Sequence, residues 1–168
     1  MKKFLFGLVV GVCLVPALVY MCIRLGYVPV ATSAPPLPFE RRLANMALEA
    51  RIAKEAPGEA PIPPNEANLV AGAKIYRQHC VACHGLAGQA PSDIAQGMFP
   101  KPPQLFQGTG VTDDPVGETY WKATYGIRLT GMPAFMGALS NEQLWQVSLL
   151  LAHADKLPGS ATKALSQP

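Results

Sequence analysis

From Phe4 to Ile23 the chain runs for twenty residues without a charged side chain, with Lys2 and Lys3 before the run and Arg24 after it. As a helix rising about 1.5 Å per residue, such a run is about 30 Å long, the thickness of a bilayer's hydrocarbon core. Pro16 falls inside it, and a single proline kinks a membrane helix without exposing much backbone. The competing reading is a cleaved signal sequence, whose apolar region is usually about 7–15 residues. The one cleavage-like string, Ala31-Thr32-Ser33-Ala34, is followed directly by Pro35, a poor neighbour for cutting. The expectation is an uncleaved single-pass anchor over residues 1–24, in contact with the lipid bilayer. Lys2 and Lys3 favour an inside N-terminus, but Arg24, Arg41 and Arg42 dilute the asymmetry, so charge alone leaves the orientation open.

Beyond the anchor the chain has room for one ordinary domain. Only 15% of the 168 residues are charged, against about a quarter in an average globular protein, and the apolar run accounts for part of that deficit. The formal charge is +3, too weak to point to nucleic acid. Residues 65–157 hold six Lys/Arg and seven Asp/Glu, so no strongly charged docking face is expected there.

Residues 25–64 carry eight prolines and read as a linker of semi-rigid extended stretches. Within it, residues 39–55 lack Pro and Gly and are rich in Ala, Leu, Glu and Arg, which predicts a helix. Phe39, Leu43, Met46, Ala50 and Ala53 fall roughly along one face of it. Two readings stand: a solvated spacer helix, or one whose apolar stripe docks on a partner or on the membrane surface.

The four cysteines are of two kinds. Cys13 and Cys22 lie inside the apolar run, where a thiol behaves as a small hydrophobe. Cys80 and Cys83 stand in the string Cys80-Val81-Ala82-Cys83-His84. Two thiols at this spacing share one turn of backbone and can add across the two vinyl groups on one edge of a haem, while the adjacent imidazole reaches the iron. A thiol–disulfide site would have the pair beside a strand–helix unit, and no convincing strand precedes it. A zinc site would need two further ligands, and only His79 and His153 remain.

The surrounding stretches carry a resemblance. Ala71-Gly72-Ala73-Lys74-Ile75-Tyr76 leads into the motif, Tyr120-Trp121 and the run Gly126 to Phe135 come after it, and Leu139 to Trp145 closes the set. Over about residues 66–157 the chain resembles the class I c-type cytochromes, in particular membrane-bound monohaem subunits of bacterial electron-transfer chains. The resemblance implies an all-α fold, a cytochrome c-like haem domain over residues 65–157 behind an N-terminal transmembrane helix, with 158–168 as a tail. It implies one covalent haem c, held by Cys80 and Cys83 and ligated by His84. It further implies thioether ligation on the other face of the iron. Met132 lies 48 residues beyond His84 in the string Gly131-Met132-Pro133, which suits a tight loop passing close to the ring. Met98 falls in a Pro/Gly-rich loop and is too early, and Met136 reads as a packing residue.

In this family a proline carbonyl accepts the ligand histidine's Nδ1–H; here Pro102 and Pro103 are both candidates, with Leu105 packing under the ring. Trp121 and Tyr125 are expected as haem-pocket wall. Arg128 is placed either to neutralise a haem propionate or as a solvated surface residue. Helices are expected at about 67–78, 116–125 and 141–155, with a loop over 85–117. The Ser140/Gln143 pair has the spacing of a capping box, and Gly72 and Tyr76 are expected to cross Trp145 and Leu149.

The implied function is one-electron carriage by a His/Met-ligated haem between membrane-associated redox partners, in a respiratory or photosynthetic chain. The protein is not expected to be an enzyme in itself, although a place as a subunit of an oxidoreductase complex is compatible. Other cytochromes or a membrane redox complex would be donor and acceptor. The family attaches haem on the outer face of the cytoplasmic membrane, which puts the haem domain on the periplasmic side. Two rival classes stand beside this: a haem enzyme or ligand sensor with an open iron, and a structural subunit in which the haem is a wire.

Overall fold

The computed structural model of the chain describes residues 1–106 and 114–167; the expected loop's residues 107–113 and the expected tail's Pro168 lie outside them. The described residues are helical, with no strand among them, as the all-α expectation requires. They divide into two units, Met1–Glu40 and Arg41–Pro168.

In the first unit, α1 runs from Lys2 to Arg24 with no residue buried, and by length and composition it can cross a membrane. It contains Pro16 and ends at Leu25, followed by Gly26 at φ +75°.

The second unit opens with most of α2 (Glu40–Glu55), whose Ile52 is buried. The remaining helices are α3 (Glu66–His79), α4 (Val81–His84), α5 (Asp93–Gly97), α6 (Val116–Tyr125), α7 (Asn141–Ala152) and α8 (Gly159–Ser166). Asn65 caps α3 by accepting the Asn68 N–H, and Ser140 with Gln143 completes both halves of the capping box on α7. Each cap satisfies backbone donors that a helix start leaves without partners.

The core lies where α7 packs against α3 and α6, and α3 against α8. Leu144, Val147, Leu150 and Leu151 of α7 meet Ala73, Ile75 and Tyr76 of α3. Gly72 is the close-approach point: a Cβ there would overlap the Gln146 carbonyl and press on Leu150. The expected crossing is therefore present with different partners. Trp145 instead stacks on Tyr120 at 4.0 Å between ring centroids, and Tyr76 sets its ring edge-on to Phe106 at 4.9 Å.

Two helices depart from expectation. α5 breaks the long loop, started by Ser92, whose hydroxyl accepts the Ala95 N–H. The residues beyond 157, expected as a tail, form α8, which buries Ala161 and Leu165; Arg77 of α3 donates to the Leu165 carbonyl at 2.8 Å. α7 ends at Ala152, before the expected Asp155, so the Leu157-Pro158-Gly159 string starts α8, with Pro158 as its N-cap, rather than stopping α7.

Candidate functional site

The Cys80–His84 motif sits at the junction of α3 and α4. The α3 helix ends at His79, Cys80 is both its C-cap and the N-cap of α4, and α4 closes on Gly85 at φ +67°, a conformation that glycine adopts without penalty. The Tyr76 hydroxyl, on the preceding turn of α3, donates to the Gly85 carbonyl at 2.8 Å. Both cysteines are free thiols and partly buried.

His84 Nδ1 lies 2.8 Å from the Pro103 carbonyl. A carbonyl only accepts, so Nδ1 carries the proton and Nε2 keeps its lone pair. Of the two expected prolines, Pro103 makes this bond. The loop bearing it is tied down twice more. Gln104 donates from Nε2 to the Leu86 carbonyl at 3.0 Å and accepts the Phe106 N–H at 3.0 Å. Ser92 donates to the Ala82 carbonyl at 2.5 Å. Leu105 packs with Cys80, Val81 and Phe106 against the α3–α7 core.

Burial lowers the His84 pKa, opposed in part by the Pro103 bond, which favours the neutral ring that ligates metal. Burial first, and the neighbouring Cys83 second, push the Cys80 thiol up to about 12. A thiol so placed keeps its proton, and a neutral thioether carries no charge to desolvate. Among the described residues no three His, Cys, Asp or Glu groups gather to hold a metal ion. His79 instead packs on Phe135 at 5.8 Å, and His153 sets Nδ1 2.9 Å from the Leu149 carbonyl. Two thiols and one imidazole within five residues fit a covalently held porphyrin.

Opposite this motif in chain order is the Met132 loop. It leaves α6 at Gly126, φ +67°, whose missing Cβ makes room for the backbone of Met132, Pro133 and Ala134. Ile127 N–H donates to the Met132 carbonyl at 3.2 Å, and the Thr130 hydroxyl donates to Ile127 and accepts the Met132 N–H. Further on, Phe135 and Met136 N–H groups donate to the Ala123 and Thr124 carbonyls of α6. At the loop's tip Leu129 holds φ +62° and is 92% exposed; a left-handed leucine costs on the order of 1–3 kcal/mol and persists only where its surroundings impose it. Met132 itself is partly buried. Met136 is 61% exposed, which corrects its expected role as a packing residue.

Three other sequence candidates lie on α6 and the loop that leaves it. Trp121 is buried, but its indole N–H donates to Glu55 at the end of α2 at 3.2 Å, and Gly117 on the same helix is pressed on by Pro57. Tyr125 sits beside Trp121, with ring centroids 5.4 Å apart, and Arg128 is exposed; together with Arg51 they line one cleft. The end of α2 is thus part of the helical domain, which the linker reading missed. Ile52, the last large apolar residue of α2, was the available signal. Met98, set aside from the sequence, rests its side chain on Gly131 beside Met132.

Residues 67–149 match the family model described as cytochrome C oxidase, cbb3-type, subunit III. Among solved structures the chain is similar to a chain of the Kuenenia stuttgartiensis reducing HAO-like protein complex, at 26% identity and a TM-score of 0.50, over 60% of this chain and 49% of that one. It therefore spans about half the length of that relative. No curated protein matches the chain.

Proposed function

The helical domain is a c-type cytochrome, and from that premise we propose that the chain carries single electrons through one haem with His84 and Met132 as axial ligands. Membership of the family makes electron transfer through a c-type haem its chemistry. The observation carrying the finer reading is the 2.8 Å bond from His84 Nδ1 to the Pro103 carbonyl, which leaves Nε2 available for iron one turn from two free thiols. Once bound, haem supplies an iron that alternates between ferrous and ferric states.

The chain's own residues do the rest. Cys80 and Cys83 fix the ring's edge to the end of α3, each S–H adding across one vinyl double bond with no net oxidation. Pro103 holds the imidazole's tautomer and orientation, as outer partners of metal-bound histidines do. The tied Met132 loop would hold a thioether for the iron, a ligand that raises the reduction potential relative to two imidazoles and would close the iron to O₂.

In this reading α1 is a membrane anchor, with the haem domain on the periplasmic side and a membrane redox complex or other cytochromes as partners. The tether raises local concentration, so encounter needs no strongly charged face.

Redox titration and CO difference spectra of the full chain in detergent test the ligand set. Met132→Ala should lower the potential and let the ferrous form bind CO, while Met136→Ala does neither. If Met136→Ala opens the iron and Met132→Ala does not, the ligand assignment fails. Avid CO binding by the wild type would replace the carrier reading with the sensor or enzyme class. Alkaline carbonate should leave the protein in the membrane, and its release would remove the anchor.

A further inference from the structure

Met98 belongs neither to the attachment motif nor to the ligand loop, yet it touches both through short chains of contacts. It is the C-cap of α5. That helix begins at Ser92, whose hydroxyl donates to the carbonyl of Ala82, between the two attachment cysteines, and accepts the Ala95 N–H at 3.2 Å. Gln96 secures the same turn by donating to the Pro91 carbonyl at 3.0 Å. From this fixed base the Met98 side chain extends to Gly131. A Cβ at residue 131 would fall on Met98 Cε and lie 3.3 Å from its sulfur. The residue before Met132 is therefore a glycine whose open side a methionine methyl fills, and that methionine hangs from the attachment turn.

We propose that Met98 is a positioning residue for Met132: seated on Gly131, it clasps the ligand loop to the α5 turn and holds the loop closed over the iron. This rests on Met132 being the sixth ligand. Loop and attachment turn also meet where His79, beside Cys80, packs on Phe135, but that contact lies beyond the ligand and does not touch Gly131. Removing the clasp raises the population of loop-open states without touching the thioether bonds. A flexible thioether chain suits the task, since it fills an irregular gap that a branched side chain would not.

The test is the rate at which the ferrous full-length holoprotein takes up CO, read with the thioether–iron absorbance of the ferric form and the global unfolding midpoint. Met98→Ala should raise the rate roughly tenfold through local opening, with Met98→Leu within about twofold of wild type because it restores most of the volume. Gly131→Ala alone should raise it similarly, by displacing Met98. In the Met98→Ala background, Gly131→Ala should add nothing, because the new methyl takes the vacated place; such non-additivity marks direct contact.

Independent, multiplying effects of the two substitutions would overturn the clasp, as would an unchanged rate in Met98→Ala. So would a shift confined to the global unfolding midpoint, since a merely structural role predicts that alone. If Met98→Leu opens the iron as much as Met98→Ala, the sulfur rather than the packing matters and the positioning role fails. If Met132→Ala takes up CO no faster than wild type, the ligand reading falls first and the clasp with it. The Met132→Ala arm separates that failure from the others.

Discussion

The limb carrying His84 and the limb carrying Met132 would face the same haem, but they are held by different means. The histidine limb is fixed by side chains reaching across a loop: Tyr76 to Gly85, Gln104 to Leu86 and Ser92 to Ala82. The methionine limb is fixed mainly by backbone, with Phe135 and Met136 bonded to the last turn of α6, Ile127 closed on Met132, and the Thr130 hydroxyl bridging the same two residues. Side-chain ties can adjust when a neighbour changes, whereas a backbone fold against a helix end shifts as a unit. The proposed covalent links would lie on the adjustable side. A ring held by two thioethers stays attached whatever the loop does, but a thioether ligand depends wholly on the loop that presents it.

The largest test removes the covalent side of the comparison. Cys80→Ser with Cys83→Ser should free the haem completely to acid–organic extraction, where the wild type keeps a haem-sized added mass. Extractable haem in the wild type would undo the asymmetry altogether.

The two glycines that end α4 and α6 sharpen it next. Gly85 and Gly126 both hold φ +67°, so alanine carries the same conformational penalty at each. Their surroundings differ. A Cβ on Gly85 would meet only the Gln104 side-chain amide at 3.2 Å, while one on Gly126 would meet three backbone atoms of Met132, Pro133 and Ala134 at 2.7–2.8 Å. Gly126→Ala should cost about 2–4 kcal/mol in denaturant unfolding and increase CO access, by left-handed strain plus overpacking against backbone. Gly85→Ala should cost only about 1–2 kcal/mol, since the amide can swing away. Equal costs would mean that the two limbs are equally rigid.

A smaller effect is expected from Tyr76→Phe, which leaves the Gly85 carbonyl without its donor. The loss should be about 1–2 kcal/mol, with the CO response unchanged. The same denaturation and CO measurements check it, and a rise in CO binding would show the two limbs to be coupled through α3. The smallest is Met136→Ala: with the side chain mostly exposed, its effect on stability should stay within about 0.5 kcal/mol.

Much of this protein is written in contiguous residues. The α1 span follows from twenty uncharged positions, α6 and α7 from periodicity and caps, and the attachment motif from two thiols and an imidazole within five residues. Each of these depends on chemistry within a turn or on one helical face, so no knowledge of the fold is needed. Other features join residues far apart in the chain, and tertiary structure alone decided them. Pro102 and Pro103 are alike in sequence, and only the path of the loop turns the second carbonyl to His84. The Trp121 indole N–H reaches Glu55, 66 positions earlier, only because α2 packs beside α6. Met98 and Gly131 come into contact because α5 aims one at the other. The helix after Pro158 carries two core positions, Ala161 and Leu165, too few to announce a buried helix. Short amphipathic segments gain most of their stability from the surface they cover, and for α8 that surface is α3, assembled from the other end of the domain.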